Sequence, residues 1–327
     1  MTSPETSTSS RREFLGLAGG CTAHLLLLAG AAPLAAQRIF APRRGSRILA
    51  QEAWGRIEPV ADGIWALIST PLQDRTTLCN GGIVRGSAGV VVIESFAQPR
   101  GATWLAEQAR ALTGRWPDQV VVTHYHGDHS AGLAGYVRAD GAPQLRCTHA
   151  TRELVRTQDN SRGIEVPPER ARMLADAVLV DPTSETSIDL GDRQIRVVPR
   201  EGHTRSDVTV EIDEPSVVFC GDLVWNRMFP NYVDAVPSRL ARAVAGLTRA
   251  DDTRYVPGHG PLAAGIDLRL YISLLDSVEQ AARAAKAAGQ TAAEAAASFR
   301  LPAEISNWTL FSPRYPEMAI GAWLRES

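Results

Sequence analysis

The chain has 327 residues, 44% of them hydrophobic, which is enough to bury a substantial core and too many for one minimal domain. Its formal net charge is −2, so nothing favours a nucleic acid or an anionic membrane as partner, and a small-molecule substrate is expected. Lys286 is the only lysine, so a substrate anion would have to be met by arginine, backbone N–H groups or a metal.

At the N-terminus, Ser10-Arg11-Arg12-Glu13-Phe14-Leu15 precedes a moderately apolar stretch to about Ala32, then small residues to Ala36. This pattern predicts a twin-arginine export signal over residues 1–36, cut after Leu34-Ala35-Ala36, and a periplasmic or secreted mature protein. Gly16, Gly19, Gly20, His24 and Gly30 weaken the stretch as a membrane anchor, so no stable membrane insertion of the mature chain is expected. Removal of Cys21 leaves Cys79, Cys147 and Cys220, none in a C-x-x-C pair, and sequence cannot assign a disulfide among them. Strand alternation makes Cys220 a core thiol rather than a metal ligand.

Residues 57–68 and 79–94 read as strands, the latter broken by Gly86-Ser87-Ala88-Gly89. Residues 102–112 carry apolar positions three and four apart, the spacing of a helix. Val120-Val121-Val122 reads as a buried strand, with a short helix from Ala131 and another strand over residues 145–149. Residues 157–168 are polar and contain Pro167-Pro168, which predicts a loop near the site. Residues 188–200, 208–213 and 217–220 form a second set of strands. Strands followed by a helix, repeated once, predict an α/β fold with two sheets between outer helices. After a catalytic domain over residues 37–261, the segment 268–297 reads as two helices split at Gly289-Gln290-Thr291. The segment 262–327 is expected to pack on the domain as a helical extension.

The chemistry is concentrated at turns after strands. His124-Tyr125-His126-Gly127-Asp128-His129 follows the valine strand directly, and imidazoles with a carboxylate suit a borderline divalent cation such as zinc. Alternation sends His124 and His126 to one side and turns Asp128 and His129 toward a second position, which suggests two adjacent metals. His203 lies in Gly202-His203-Thr204, Asp222 ends Cys220-Gly221-Asp222, and His259 lies in Pro257-Gly258-His259-Gly260. Each stands at a strand end beside a glycine, where α/β sheets place their crevice.

These four motifs, in this order, resemble those of the metallo-β-lactamase superfamily over about Ile57 to Pro261. The resemblance implies a four-layer αββα sandwich with a dinuclear site at one edge. It implies that His124, His126 and His203 hold one metal, that Asp128, His129 and His259 hold another, and that Asp222 bridges them. Two Zn2+ per chain are expected, with Fe or Mn as alternatives. Glu94 stands where that family often has a supporting aspartate, which leaves its role open.

The implied activity is metal-dependent hydrolysis, with a hydroxide between two divalent cations attacking a carbonyl or phosphoryl centre of a thioester, lactone, amide or phosphodiester. Asp128 is the expected catalytic residue, ligating and orienting that hydroxide. Class B β-lactamases carry cysteine or serine where this chain has Asp222. Their cysteine-bearing subclass has lysine where it has Trp225, so β-lactam hydrolysis is the alternative rather than the first reading. A mono-iron persulfide dioxygenase is a further alternative. Trp225, Met228, Phe229 and Tyr232 are candidates for the substrate pocket or for core packing, and Arg227 for an anionic substrate group. Thr204 and Asp207 are candidates to support His203 by hydrogen bonding.

Overall fold

A computed structural model describes residues 47–70, 74–162 and 165–326. The export segment expected over residues 1–36 lies outside the described residues. The first sheet has eight strands in chain order: β1 (Ala50–Glu52), β2 (Gly55–Ala61), β3 (Ile64–Ser69), β4 (Gly81–Arg85), β5 (Val90–Ile93), β6 (Gln119–Val121), β7 (Gln144–Thr148) and β8 (Val178–Val180). Pairing is antiparallel from β1 to β5 and parallel from β5 to β8. The second sheet has six: β9 (Thr186–Asp189), β10 (Gln194–Pro199), β11 (Val208–Ile212), β12 (Val217–Trp225), β13 (Arg254–His259) and β14 (Ala263–Ala264). Its pairs are antiparallel except β12 with β13.

Parallel neighbours need a crossover, and helices supply it. Helix α1 (Pro99–Thr113) joins β5 to β6, and α5 (Pro237–Ala245) lies between β12 and β13. The others are α2 (Gly127–Ser130), α3 (His149–Arg162), α4 (Pro168–Ala175), α6 (Gly265–Ala288), α7 (Ala292–Ser298) and α8 (Tyr315–Glu326).

The continuous apolar runs follow from burial on both faces. Val91, Ile93 and Val121 point between the sheets, against Ile195, Val197, Val210 and Phe219. Their neighbours Val90, Val92 and Val120 point outward to Leu105 and Ala109 of α1. On the second sheet Val218 and Cys220 face outward to Leu240 of α5 and Tyr271 of α6. The result is four layers, helix–sheet–sheet–helix, and the C-terminal helices share the outer core of the second sheet.

Two boundaries differ from the sequence expectation. Residues 157–162 continue helix α3 instead of forming a loop, because the helix-breaking Pro167 comes only after them. Val155 and Asp159, four apart, are buried, so this helix needs only a narrow inward stripe. Strand β12 also runs past Cys220 to Trp225, which places Asp222 inside a strand whose pairing with β13 shifts register on both sides of Gly221.

Cys79, Cys147 and Cys220 are all free and buried, and burial pushes the Cys147 thiol up to about 12. Among the described residues, no helix is long and apolar enough to cross a membrane.

Candidate metal centre

Both sheets deliver their ends to one edge. Strand β6 leads into the hexad, whose last residues form α2, while the β10–β11 loop carries His203 and β13 ends on His259. Asp222 reaches the same place because Gly221 takes φ +52 and comes against Thr123, where a Cβ would lie 2.6 Å from its Oγ1. Gly258 is forced as well, since a Cβ there would stand 2.0 Å from Asp222 Oδ1.

The structure gathers all seven candidate ligands, buried, into two groups: His124, His126, His203 and Asp222; and Asp128, His129 and His259. Within each group one ligand atom per residue lies within 4.8 Å of the others. His126 Nδ1 is 3.1 Å from His124 Nε2 and 3.0 Å from His203 Nε2. Asp222 reaches both groups. Its Oδ2 is 3.3 Å from His203 Nε2 and from His259 Nε2, and its Oδ1 is 3.1 Å from both His129 Nε2 and His259 Nε2. Asp128 Oδ2 is 3.4 Å from His259 Nε2.

The donor set fits divalent cations. Asp128 Oδ1, Asp222 Oδ1 and His129 Nε2 are buried without a hydrogen-bond partner, and such groups ordinarily demand one. Burial, helped by neighbouring imidazoles, holds His124 well below the usual histidine value. Burial brings His203 to about 3, so both rings are neutral and able to ligate. At His129 burial alone would act the same way, but Cys79, Asp222, Glu94 and Asp128 raise it well above the usual value. Asp222 is held well below the carboxylate range by His259, His129 and His203, against the upward effect of burial.

Outer partners fix the rings. Glu94 Oε1 lies 2.9 Å from His129 Nδ1 and accepts from Thr123 Oγ1 at 2.5 Å, which places its carboxylate against the site. It does so from a left-handed backbone (φ 73), a strained conformation for glutamate. Asp234 was not singled out by the sequence. Its Oδ2 is 2.8 Å from His126 Nε2 and accepts from Tyr125 Oη at 2.6 Å, so it leaves Nδ1 to face the other two imidazoles. Asn80 was missed too, and it holds the His259 turn by donating from Nδ2 to the carbonyls of Pro257 (2.9 Å) and Gly260 (2.8 Å). No motif marks either residue.

Other candidates are placed differently. Asp207 accepts from Thr204 N (2.9 Å) and Oγ1 (2.6 Å), while His203 Nδ1 has no hydrogen-bond partner, so the pair stiffens the loop and not the ring. Phe229, Tyr232 and Met228 are buried in the outer core of the second sheet, the packing role. Trp225 is 4% exposed and lies behind His259, with ring centroids 4.1 Å apart. Arg227 is half-exposed, with its guanidinium 3.8 Å from Asp267 Oδ1.

Residues 75–266 match the profile of the metallo-beta-lactamase superfamily. The chain is 28% identical over 233 residues to an acyl-coenzyme A thioesterase, MBLAC2, of Gallus gallus, covering 63% of this chain and 80% of the relative. It is 24% identical over 220 residues to a hydroxyacylglutathione hydrolase of Acidiphilium cryptum (strain JF-5), covering 67% and 79%. Among solved structures it shares its fold with the sec-alkylsulfatase Pisa1 from Pseudomonas sp. (TM-score 0.64, 14% identity, 81% of this chain and 49% of that one). It also shares it with the metallo-beta-lactamase FIM-1 from Pseudomonas aeruginosa (TM-score 0.55, 19% identity, 69% and 97%). Profile, fold and the paired histidine–aspartate groups agree, and the chain belongs to the metallo-beta-lactamase superfamily, as a hydrolase.

Proposed function

We propose that this protein is a dinuclear metal-dependent hydrolase acting on thioesters. The observation that carries the dinuclear reading is Asp222, whose carboxylate lies within 3.3 Å of His203 in one ligand group and of His259 and His129 in the other. Charge supports it as well. Asp128, Asp222, Glu94 and Asp234 surround these imidazoles, and two divalent cations would balance their four charges. His124, His126 and His203 would hold one cation, Asp128, His129 and His259 the other, with Asp222 between them. Zinc suits this nitrogen–oxygen donor set.

The chemistry such cations supply is Lewis acidity, polarising a carbonyl oxygen and bringing the ionisation of water near neutral pH. The protein's own part is positional. Asp234 orients the His126 ring through Nε2, and Glu94 sets a carboxylate 2.9 Å from His129 Nδ1. Asp128 presents Oδ1 with no partner, able to accept a proton and orient a water molecule. The choice of thioester rests on the two curated relatives, one named a thioesterase and the other a hydrolase of an acyl glutathione.

Turnover of an acyl-coenzyme A, an acyl glutathione, a lactone, a phosphodiester and a β-lactam by zinc-loaded protein, each with a chelator control, tests this. Chelator-sensitive thioester cleavage with kcat/KM of about 10⁴ M⁻¹s⁻¹ or more is expected. Efficient turnover confined to β-lactams would replace thioesters with the antibiotic, and no chelator-sensitive turnover would remove the hydrolase reading.

We also propose export by the twin-arginine route, on the strength of Arg11-Arg12 and the stretch that follows. A reporter fused behind residues 1–36 should stay in the cytoplasm once both arginines are lysine. Normal export of that variant would sink the assignment.

A further inference from the structure

The family profile ends at residue 266, yet the chain beyond it packs against Trp225, whose ring lies on the candidate ligand His259. His259 Nε2 faces Asp222 and Asp128, and its ring lies against Trp225 with centroids 4.1 Å apart and planes at 42°. Trp225 Nε1 is buried and has no hydrogen-bond partner, so packing and not a polar anchor sets the orientation of the indole. The ring of Tyr315, at the start of α8, meets that indole nearly at right angles, 6.5 Å between centroids.

A second tie runs through the backbone. Thr309 N donates to Arg227 O at 3.1 Å, and Phe229 N donates to Thr309 O at 3.0 Å, so the C-terminal segment pairs with the chain leaving β12. Asn226, directly after Trp225, holds the His259 turn in three places. Its N–H donates to His259 O (3.0 Å), and its Nδ2 donates to Pro261 O (3.0 Å) and Leu262 O (3.2 Å). Stacking of Trp308 on Tyr271 of α6, 6.4 Å apart, fastens the segment to the body.

We infer that the C-terminal extension is a working part of the second metal subsite, with Tyr315 backing Trp225 and Trp225 fixing the ring of His259. This rests on the dinuclear reading above. The extension then acts selectively. It bears on the group Asp128–His129–His259 and not on His124–His126–His203, whose outer partners are Thr123 and Asp234. Trp225 and Tyr315 are positioning residues, acting through His259.

The test titrates Zn2+ into the metal-free full-length protein against a competing chelator. Wild type is expected to take up two zinc ions. Trp225→Leu should weaken one of them about 10–100-fold, the scale of lost outer-shell support, and leave the other unchanged. Tyr315→Leu should weaken the same zinc by a smaller factor, and Tyr315→Phe, which keeps the ring, should restore it. His259→Ala identifies which zinc is affected. Ile320→Ala, a core truncation in the same helix, separates simple destabilisation from the selective effect. Amide exchange at Asn226 in metal-free Tyr315→Leu should be faster than in wild type. Unchanged zinc affinities in both leucine variants, or equal weakening of both ions as in Ile320→Ala, would overturn the inference. Uptake of one zinc or none by wild type would fail earlier, at the dinuclear reading itself.

Discussion

Asp222→Ala should abolish zinc binding as a pair, leaving at most one ion per chain, and lower kcat/KM by on the order of 10²–10³-fold or more, the scale set by losing one preorganised charged element. The size follows from position. Asp222 is buried at the middle of the cluster, 3.1 Å from His129 and His259 and 3.3 Å from His203. Its removal takes a carboxylate from both groups at once, and no other carboxylate among the described residues has that reach to both. It also removes the carboxylate that lies 3.1 Å from His129 Nε2. Thermal unfolding gives an independent check, because a ligand stabilises in proportion to RT ln(1 + [L]/Kd). Wild type should gain melting temperature steeply with added zinc, and Asp222→Ala should gain much less. Two zinc ions retained at wild-type affinity would remove Asp222 from the bridge.

How much of this was legible in the sequence depends on what each residue needed. The hexad, His203, Asp222 and His259 stood out because rare residue types sat beside glycines at strand ends, and the structure brings all seven candidate ligands to one edge. The two-sheet architecture was legible from apolar runs that must be buried on both faces. Asp234 was not, because its importance comes only from a contact with His126 across more than a hundred residues of chain. Asn80 reaches the His259 turn over a still longer separation. Glu94 was visible but ambiguous, and only its left-handed backbone brings the longer side chain onto His129. The end of α3 was misjudged because a polar composition hides a helix whose inward stripe there includes Val155 and Asp159. Phe229 and Tyr232 follow Asp222 closely in sequence, yet the chain turns them into the core under the C-terminal helices. Local pattern thus shows ligands and strands, while outer partners depend on closure of the fold.

Asp128→Asn should lower kcat by about 10²–10⁴-fold, the range for loss of a positioned proton acceptor, while KM changes little. The substitution keeps shape and volume, so the buried site has no cavity to collapse. One oxygen still faces His259, where Asp128 Oδ2 lies 3.4 Å from Nε2. What disappears is the negative charge and the capacity to take a proton at Oδ1, the atom that is buried without a partner. A purely structural Asp128 would behave otherwise, with zinc content and melting temperature falling together and the remaining loaded fraction turning over normally. Activity per bound zinc therefore decides between the two roles. A low kcat at full zinc loading makes Asp128 part of the chemistry, and wild-type kcat at full loading leaves it a ligand alone.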